Sequence, residues 1–154
     1  MASKREQILA ALKTKLTGTT GVGKRIYRSR PEAFAKAETP AIVLEPISDT
    51  ALDTNSIYEK ITWEFRVRVS VIVRGTIPDK VADPTNVSLY NKLMTDPTIG
   101  GLAIDIKPST VNFEIIEADQ PAGVIANEFD IEYRSSYNNL STKQPCWTNI
   151  LNER

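Results

Sequence analysis

The sequence contains no histidine, and that single absence removes a large share of ordinary enzyme chemistry. Without imidazole the chain lacks the commonest general base and the commonest metal ligand. Cysteine–histidine and serine–histidine nucleophiles are excluded with it. Cysteine occurs once, at Cys146, so no intrachain disulfide can form and a reducing, cytoplasmic setting is expected. No run of 18 apolar residues is present, so no membrane span is expected. Met1-Ala2-Ser3-Lys4 leads straight into an amphipathic pattern, where a signal peptide would carry an apolar core.

What is present is an ordinary globular composition. With 154 residues and 41% hydrophobic content, one domain with a real core is expected. Net charge is zero but unevenly placed. Residues 1–30 hold eight Lys/Arg against Glu6, a local +7, which leaves 11 cations against 18 carboxylates, or −7, in the remainder. Such a split suits contact with a polyanion, or head-to-tail docking of one copy on the next, or simply a solvated helix face.

Ser3-Lys4-Arg5-Glu6 has the form of a capping box, and Ile8, Leu9, Leu12 and Leu16 follow at helical spacing, so a helix is expected over 4–16. Lys24–Arg30 reads as a short charged strand, residues 31–39 as a helical turn, and Ala41–Leu44 as a buried strand closed by Pro46. From Ile61 to Val73 every odd position is apolar (Ile61, Trp63, Phe65, Val67, Val69, Val71, Val73), the period of a strand with one buried face. If pairing starts at Ile57 this strand is about 55 Å long, against a body about 40 Å across. A projecting, mobile hairpin over 45–60 is therefore expected, with 47–56 as a polar connection. Asp83-Pro84 is expected to open a second helix whose apolar face is Val87, Tyr90, Leu93 and Met94. A turn at Gly100-Gly101 precedes Leu102–Ile106; strands over 111–118 and 129–133 are joined by a turn at Gln120–Gly123. Residues 135–154 read as a terminal arm anchored by Trp147, Ile150 and Leu151. The class is α+β.

Gly18-Thr19-Thr20-Gly21-Val22-Gly23-Lys24-Arg25 has the glycine and lysine spacing of a phosphate-binding loop, but Arg25 stands where a hydroxyl should meet magnesium. A helix precedes this loop and a strand follows, the reverse of what the mechanism needs, so a flexible linker is expected. The carboxylates Glu114, Glu117, Asp119, Glu128, Asp130 and Glu132 fall on alternating strands as a wet face, within reach of Arg66 and Arg68 across neighbouring strands. No catalytic constellation, cofactor or metal site is expected.

The series of elements resembles the tail terminator (tail completion) proteins of long-tailed bacteriophages over residues 4–136. The likeness lies in the order REQILAALKTKL, Ile26–Arg30, Thr39–Leu44, Ile61–Gly75, a helix over 84–95, Asp96–Gly101, Gln120–Gly123 and Phe129–Arg134. It implies one domain over 1–136 and an extension over 137–154. It also implies a mainly antiparallel sheet of about four to six strands with two helices on one face, besides the hairpin and the arm. The family implies a virion protein assembled in the host cytoplasm as a homo-oligomeric, hexameric ring. That ring caps the tail tube protein and meets the head-side neck or connector protein, and a sheath protein where the tail contracts. DNA passes through its lumen without sequence-specific binding. Expected inter-subunit or partner contacts are Lys13, Lys15, Arg25, Arg28 and Arg30 on the positive side, and Glu114, Glu117, Asp119, Glu128 and Glu132 on the negative side. Asp49 and Asp53 in the hairpin, Arg66 and Arg68 on the wet face, and Trp147 in the arm complete the set. Another structural subunit of a phage neck or baseplate is the alternative reading, and an enzyme or nucleotide-binding domain a third.

Overall fold

The computed structural model describes residues 2–29, 39–53, 60–116, 121–136 and 139–140. Along the chain come α1 (Lys4–Leu16), β1 (Ile26–Arg28), β2 (Ala41–Asp53), β3 (Lys60–Arg74), α2 (Pro78–Thr95), β4 (Asp105–Ile116) and β5 (Ala122–Ser136). The strands form one sheet in the order β1-β2-β3-β5-β4. Among the described strands only the β1–β2 pairing is parallel. This is the expected α+β architecture, with both helices against one face of a mainly antiparallel sheet.

α1 starts where its cap predicts: the Ser3 hydroxyl accepts the Glu6 amide at 3.1 Å. The capping box is only half made, because the Glu6 carboxylate turns to Arg28 on β1. Ile8, Leu9, Leu12 and Leu16 are buried, so one stripe of the helix meets the core. At the centre of the sheet, Phe65, Val67, Val69, Val71 and Val73 alternate into the same core. They meet Ile125, Phe129, Ile131 and Tyr133 of β5, and Leu89 and Leu93 of α2. The alternating strand is therefore as the sequence predicts. It does not project alone: β5 pairs with it from Lys60↔Ser136 to Arg74↔Ala122.

Five expectations change, and the first is β5, which starts at Ala122 inside the expected turn and runs to Ser136 instead of spanning only 129–133. The strand at Ala41–Leu44 does not close at Pro46 but continues to Asp53, paired with β3 as far as Thr62. Residues 47–53 are thus ladder, not a structureless connection; 54–59 lie outside the described residues, as do 31–38 of the expected helical turn. Proline is tolerated because β1 stops pairing at Leu44. By strand alternation the Pro46 nitrogen faces that vacated side, where no ladder bond among the described residues is lost.

α2 begins at Pro78, not Pro84, with proline at the first helical position, where a missing N–H costs nothing. Pro84 sits inside the helix and leaves the Lys80 carbonyl without its amide, but both residues are exposed and water can serve that carbonyl. The buried face is also rotated from expectation. It comprises Pro78, Ala82, Thr85, Leu89 and Leu93, while Val87 and Tyr90 are exposed. Finally, the separate segments expected at 102–106 and 111–118 are largely one strand, β4, running through Pro108 with a register shift between Pro108 and Thr110.

Candidate assembly surfaces

Most of the basic N-terminal segment is used inside the subunit. The Lys15 ammonium donates to the Asp96 carbonyl at 3.0 Å, tying α1 to the end of α2. Arg25 donates to the Pro40 carbonyl at 3.0 Å and the Gly21 carbonyl at 2.5 Å, which clasps the glycine loop to the start of β2. Arg28 makes a two-point ion pair with Glu6 at 2.5 and 3.1 Å. The guanidinium holds the Glu6 carboxyl below its ordinary range, chiefly through that hydrogen bond. Lys13 is exposed, two turns along α1 from Glu6 and on the same flank. Arg30 lies outside the described residues.

Asp49 was expected to face a partner and instead faces the helices. The register shift between Pro46 and Ser48 resets the alternation of β2, placing Asp49 opposite the core residue Phe65. Its side chain is only 9% exposed. The Tyr133 hydroxyl and Arg5 (3.0 Å) both donate to Oδ2, while Oδ1 is buried without a partner among the described residues. Burial pushes the Asp49 carboxyl up, against the pull of its Tyr133 and Arg5 bonds. Burial, then the bond to Asp49, also raises the Tyr133 phenol. Asp53 pairs through its backbone with Thr62. Glu117, Asp119 and Trp147 fall outside the described residues.

The face of the sheet away from α1 and α2 carries the expected charge ladder. Arg66 and Asp130 are register partners joined at 2.9 and 3.4 Å. Arg68 stands in register between Glu45 and Glu128, and Glu64 between Thr50 and Glu132. Arg68, Glu114 and Ser70 line a depression of about 390 Å³ on this face. It gathers no nucleophile–base pair among the described residues.

The glycine loop fails as a phosphate cradle for a structural reason. A phosphate needs free backbone N–H groups. Here Gly18 donates to Gly23, Thr19 to Leu16, Val22 and Gly23 to Thr19, and Thr20 to the Ser88 hydroxyl. Gly18, Gly21 and Gly23 supply the left-handed turns that fold the loop onto itself (φ 90°, 78° and 61°). Thr85 on α2 then holds the Thr20 carbonyl. No cluster of three His, Cys, Asp or Glu able to hold a metal occurs among the described residues, and no described helix is long and apolar enough to cross a membrane.

Sequence reasoning missed the most exposed apolar feature. Strand β4 is the edge of the sheet, and its residues Val111 (46% exposed), Phe113 (69%), Ile115 (61%) and Ile116 (48%) face solvent. The first three occupy register positions beside Asn127, Ile125 and Gly123, so they share the helix side of the sheet but lie beyond its cover. The alternation at 111–115 was visible, but a period of two cannot tell a buried face from an uncovered one. Folded monomers commonly blunt such an edge with lysine, proline, a bulge or a covering segment. Lys107, Pro108 and the register shift after it protect the first half of β4, whereas Thr110–Ile116 carries only the charge of Glu114, and among the described residues nothing pairs with its outer edge.

No family model matches the sequence, and no curated protein matches it. Among solved structures, a chain described as "Virion of native gene transfer agent (GTA) particle" is weakly similar, at 13% identity and a TM-score of 0.49. The match covers 86% of this chain and 92% of that one.

Proposed function

We propose that this chain is a structural subunit of a phage-like virion that assembles with copies of itself into a ring ending the tail tube, as a tail terminator does. The observation that carries the reading is the exposed apolar stretch Val111–Ile116 on the β4 edge, with Phe113 and Ile115 more than 60% exposed. An apolar strand edge of this kind belongs in contact with another chain. The order of elements over 4–136 supports the more specific assignment. In this reading the ring is hexameric, its lower surface meets the tail tube protein, and its upper surface meets the head-side connector, with a sheath protein alongside if the tail contracts. DNA traverses the lumen without base contacts, and the assembled protein resides in the virion.

The test is to image the purified chain by negative-stain microscopy and add it to polymerising tail tube protein. Six-fold rings and tubes of arrested length are expected. Rings without any effect on tube length would favour another neck or baseplate subunit. A chain that stays monomeric and leaves tubes unaltered would overturn the assignment.

A further inference from the structure

The exposed β4 stretch borders a cleft at one end of β5. There the first turn of α2 rests on Gly123 and leaves a space of about 120 Å³ between Asp79 and the exposed side chains of Phe113 and Ile115. Among the described residues no cation lines it. Asp83, one helical turn beyond Asp79, is exposed on the same helix, and Glu114 is exposed on β4. The cleft is smaller than the usual pocket for a small molecule. Apolar walls with a carboxylate at the rim suit one large side chain that carries an N–H donor.

At the other end of β5 the described chain leaves the sheet. Asn139 bridges back to Ser136, and the Leu140 carbonyl accepts the Lys4 amide at 2.8 Å, so Leu140 is held at the Ser136 end. The sequence over 141–154, outside the described residues, contains Trp147, Ile150 and Leu151, with Lys143 four residues before the tryptophan. Indole is an apolar body with a single N–H donor, and Lys143 has the charge opposite to the rim.

Reach decides whose tryptophan the cleft can take. Gly123 is the register partner of Ile115 and stands thirteen residues back along β5 from Ser136, about 43 Å. Trp147 is seven residues past Leu140, and seven residues fully extended cover at most about 25 Å. Trp147 therefore cannot reach the cleft of its own subunit. A two-fold contact of β4 with β4 suits the cleft no better, because it would set Asp79, Asp83 and Glu114 against the same carboxylates of the second copy.

We infer that Trp147 of one copy fills the cleft between Asp79 and Ile115 of the next, with Ile150 and Leu151 laid over Phe113 and Val111. The occupant of the β4 edge is thus the 141–154 segment of a second copy, given once and received once by every subunit, a head-to-tail exchange that closes in a ring. It requires the Ser136 end of one sheet to approach the Ile116 end of the next, since copies set side by side at one level would leave Trp147 equally short. The inference rests on the ring reading above and names the contact within it.

Cys146, next to Trp147, provides the test. Asp79→Cys in the full chain puts a thiol on the exposed rim of the cleft and leaves the core intact. Oxidised under mild conditions and run without reductant, this variant should give a covalent ladder ending at the ring size. The unsubstituted chain and the Asp79→Cys, Cys146→Ser double variant should both stay uncross-linked. Trp147→Ala should lose the ring and keep the circular dichroism of the unsubstituted chain. An intramolecular disulfide in Asp79→Cys, seen as a monomer of altered mobility, would put the segment on its own subunit and overturn the inference. Cross-linking of the double variant would show a two-fold contact and overturn it as well. Rings of normal size that give no ladder, or that survive Trp147→Ala, would overturn the exchange and leave the ring reading intact. Absence of rings from the unsubstituted protein would overturn both.

Discussion

Asp49 and Tyr133 show how a charged residue in this chain came to be structural. Tyr133 is 2% exposed and donates to a carboxylate that Arg5 also holds. Removing the phenol leaves Asp49 buried with less hydrogen bonding, so Tyr133→Phe should destabilise by about 1–3 kcal/mol in urea unfolding. Asp49→Ala should couple to it, the double variant losing less than the sum of the singles. The pH dependence has a definite sign. The fold holds the Tyr133 proton above the ordinary range near 10, so at higher pH the unfolded chain binds fewer protons than the folded one. Stability should therefore fall as pH rises beyond about 10, and Tyr133→Phe should flatten that arm of the curve. Asp49, also raised, contributes with the same sign in the acid range: its share is present below the ordinary carboxylate range and lost as pH rises through its folded value. An alkaline arm of equal slope in Tyr133→Phe would exclude the phenol as its source.

At the scale of elements, Gly123 and Pro84 mark where packing overrides local signals. Gly123 looks like a hairpin turn in sequence but lies in β5, where an added Cβ would sit 2.3 Å from the Pro78 side chain. Gly123→Ala should cost about 1–3 kcal/mol by forcing α2 off the sheet, read as a lower urea midpoint. Pro84→Ala should act oppositely, restoring a helical hydrogen bond and stabilising by about 1–3 kcal/mol. Both proline positions explain what the sequence could and could not disclose. α1 and β3 were legible because one period, 3.6 or 2, governs each throughout. The start of α2 was not, since Pro78 and Pro84 are each acceptable first-turn residues and only burial of Pro78 on Gly123 selects between them. β2 was cut short because Pro46 breaks strands except at an edge, and edge status is a property of the sheet. The inward turn of Asp49 follows from a bulge that no local pattern announces. Of the expected contact residues, Lys13 and Glu114 remain exposed at opposite margins of the molecule, while Lys15, Arg25, Arg28 and Asp49 are engaged within the subunit.

The described residues form one sheet with both helices on one face, and among them nothing pairs with the outer edge of β4. Cation count alone does not produce the proposed assembly surface. Most cations of the +7 segment are bonded inside the subunit, Lys4, Lys15 and Arg25 to carbonyl oxygens and Arg5 and Arg28 to carboxylates. Charge reversal at Arg28 would therefore be a poor probe of assembly, because it first sets two carboxylates against each other at Glu6. Phe113→Asp is the better one: a 69% exposed side chain on an edge strand contributes little to the isolated fold but would be covered in the ring. The most direct measurement is the solution mass of the unsubstituted chain and of Phe113→Asp, side by side at equal concentration. The unsubstituted chain should have the mass of a closed hexamer and Phe113→Asp that of a folded monomer with unchanged circular dichroism. A monomeric unsubstituted chain, or a Phe113→Asp variant that forms the same ring, would contradict assembly through the β4 edge.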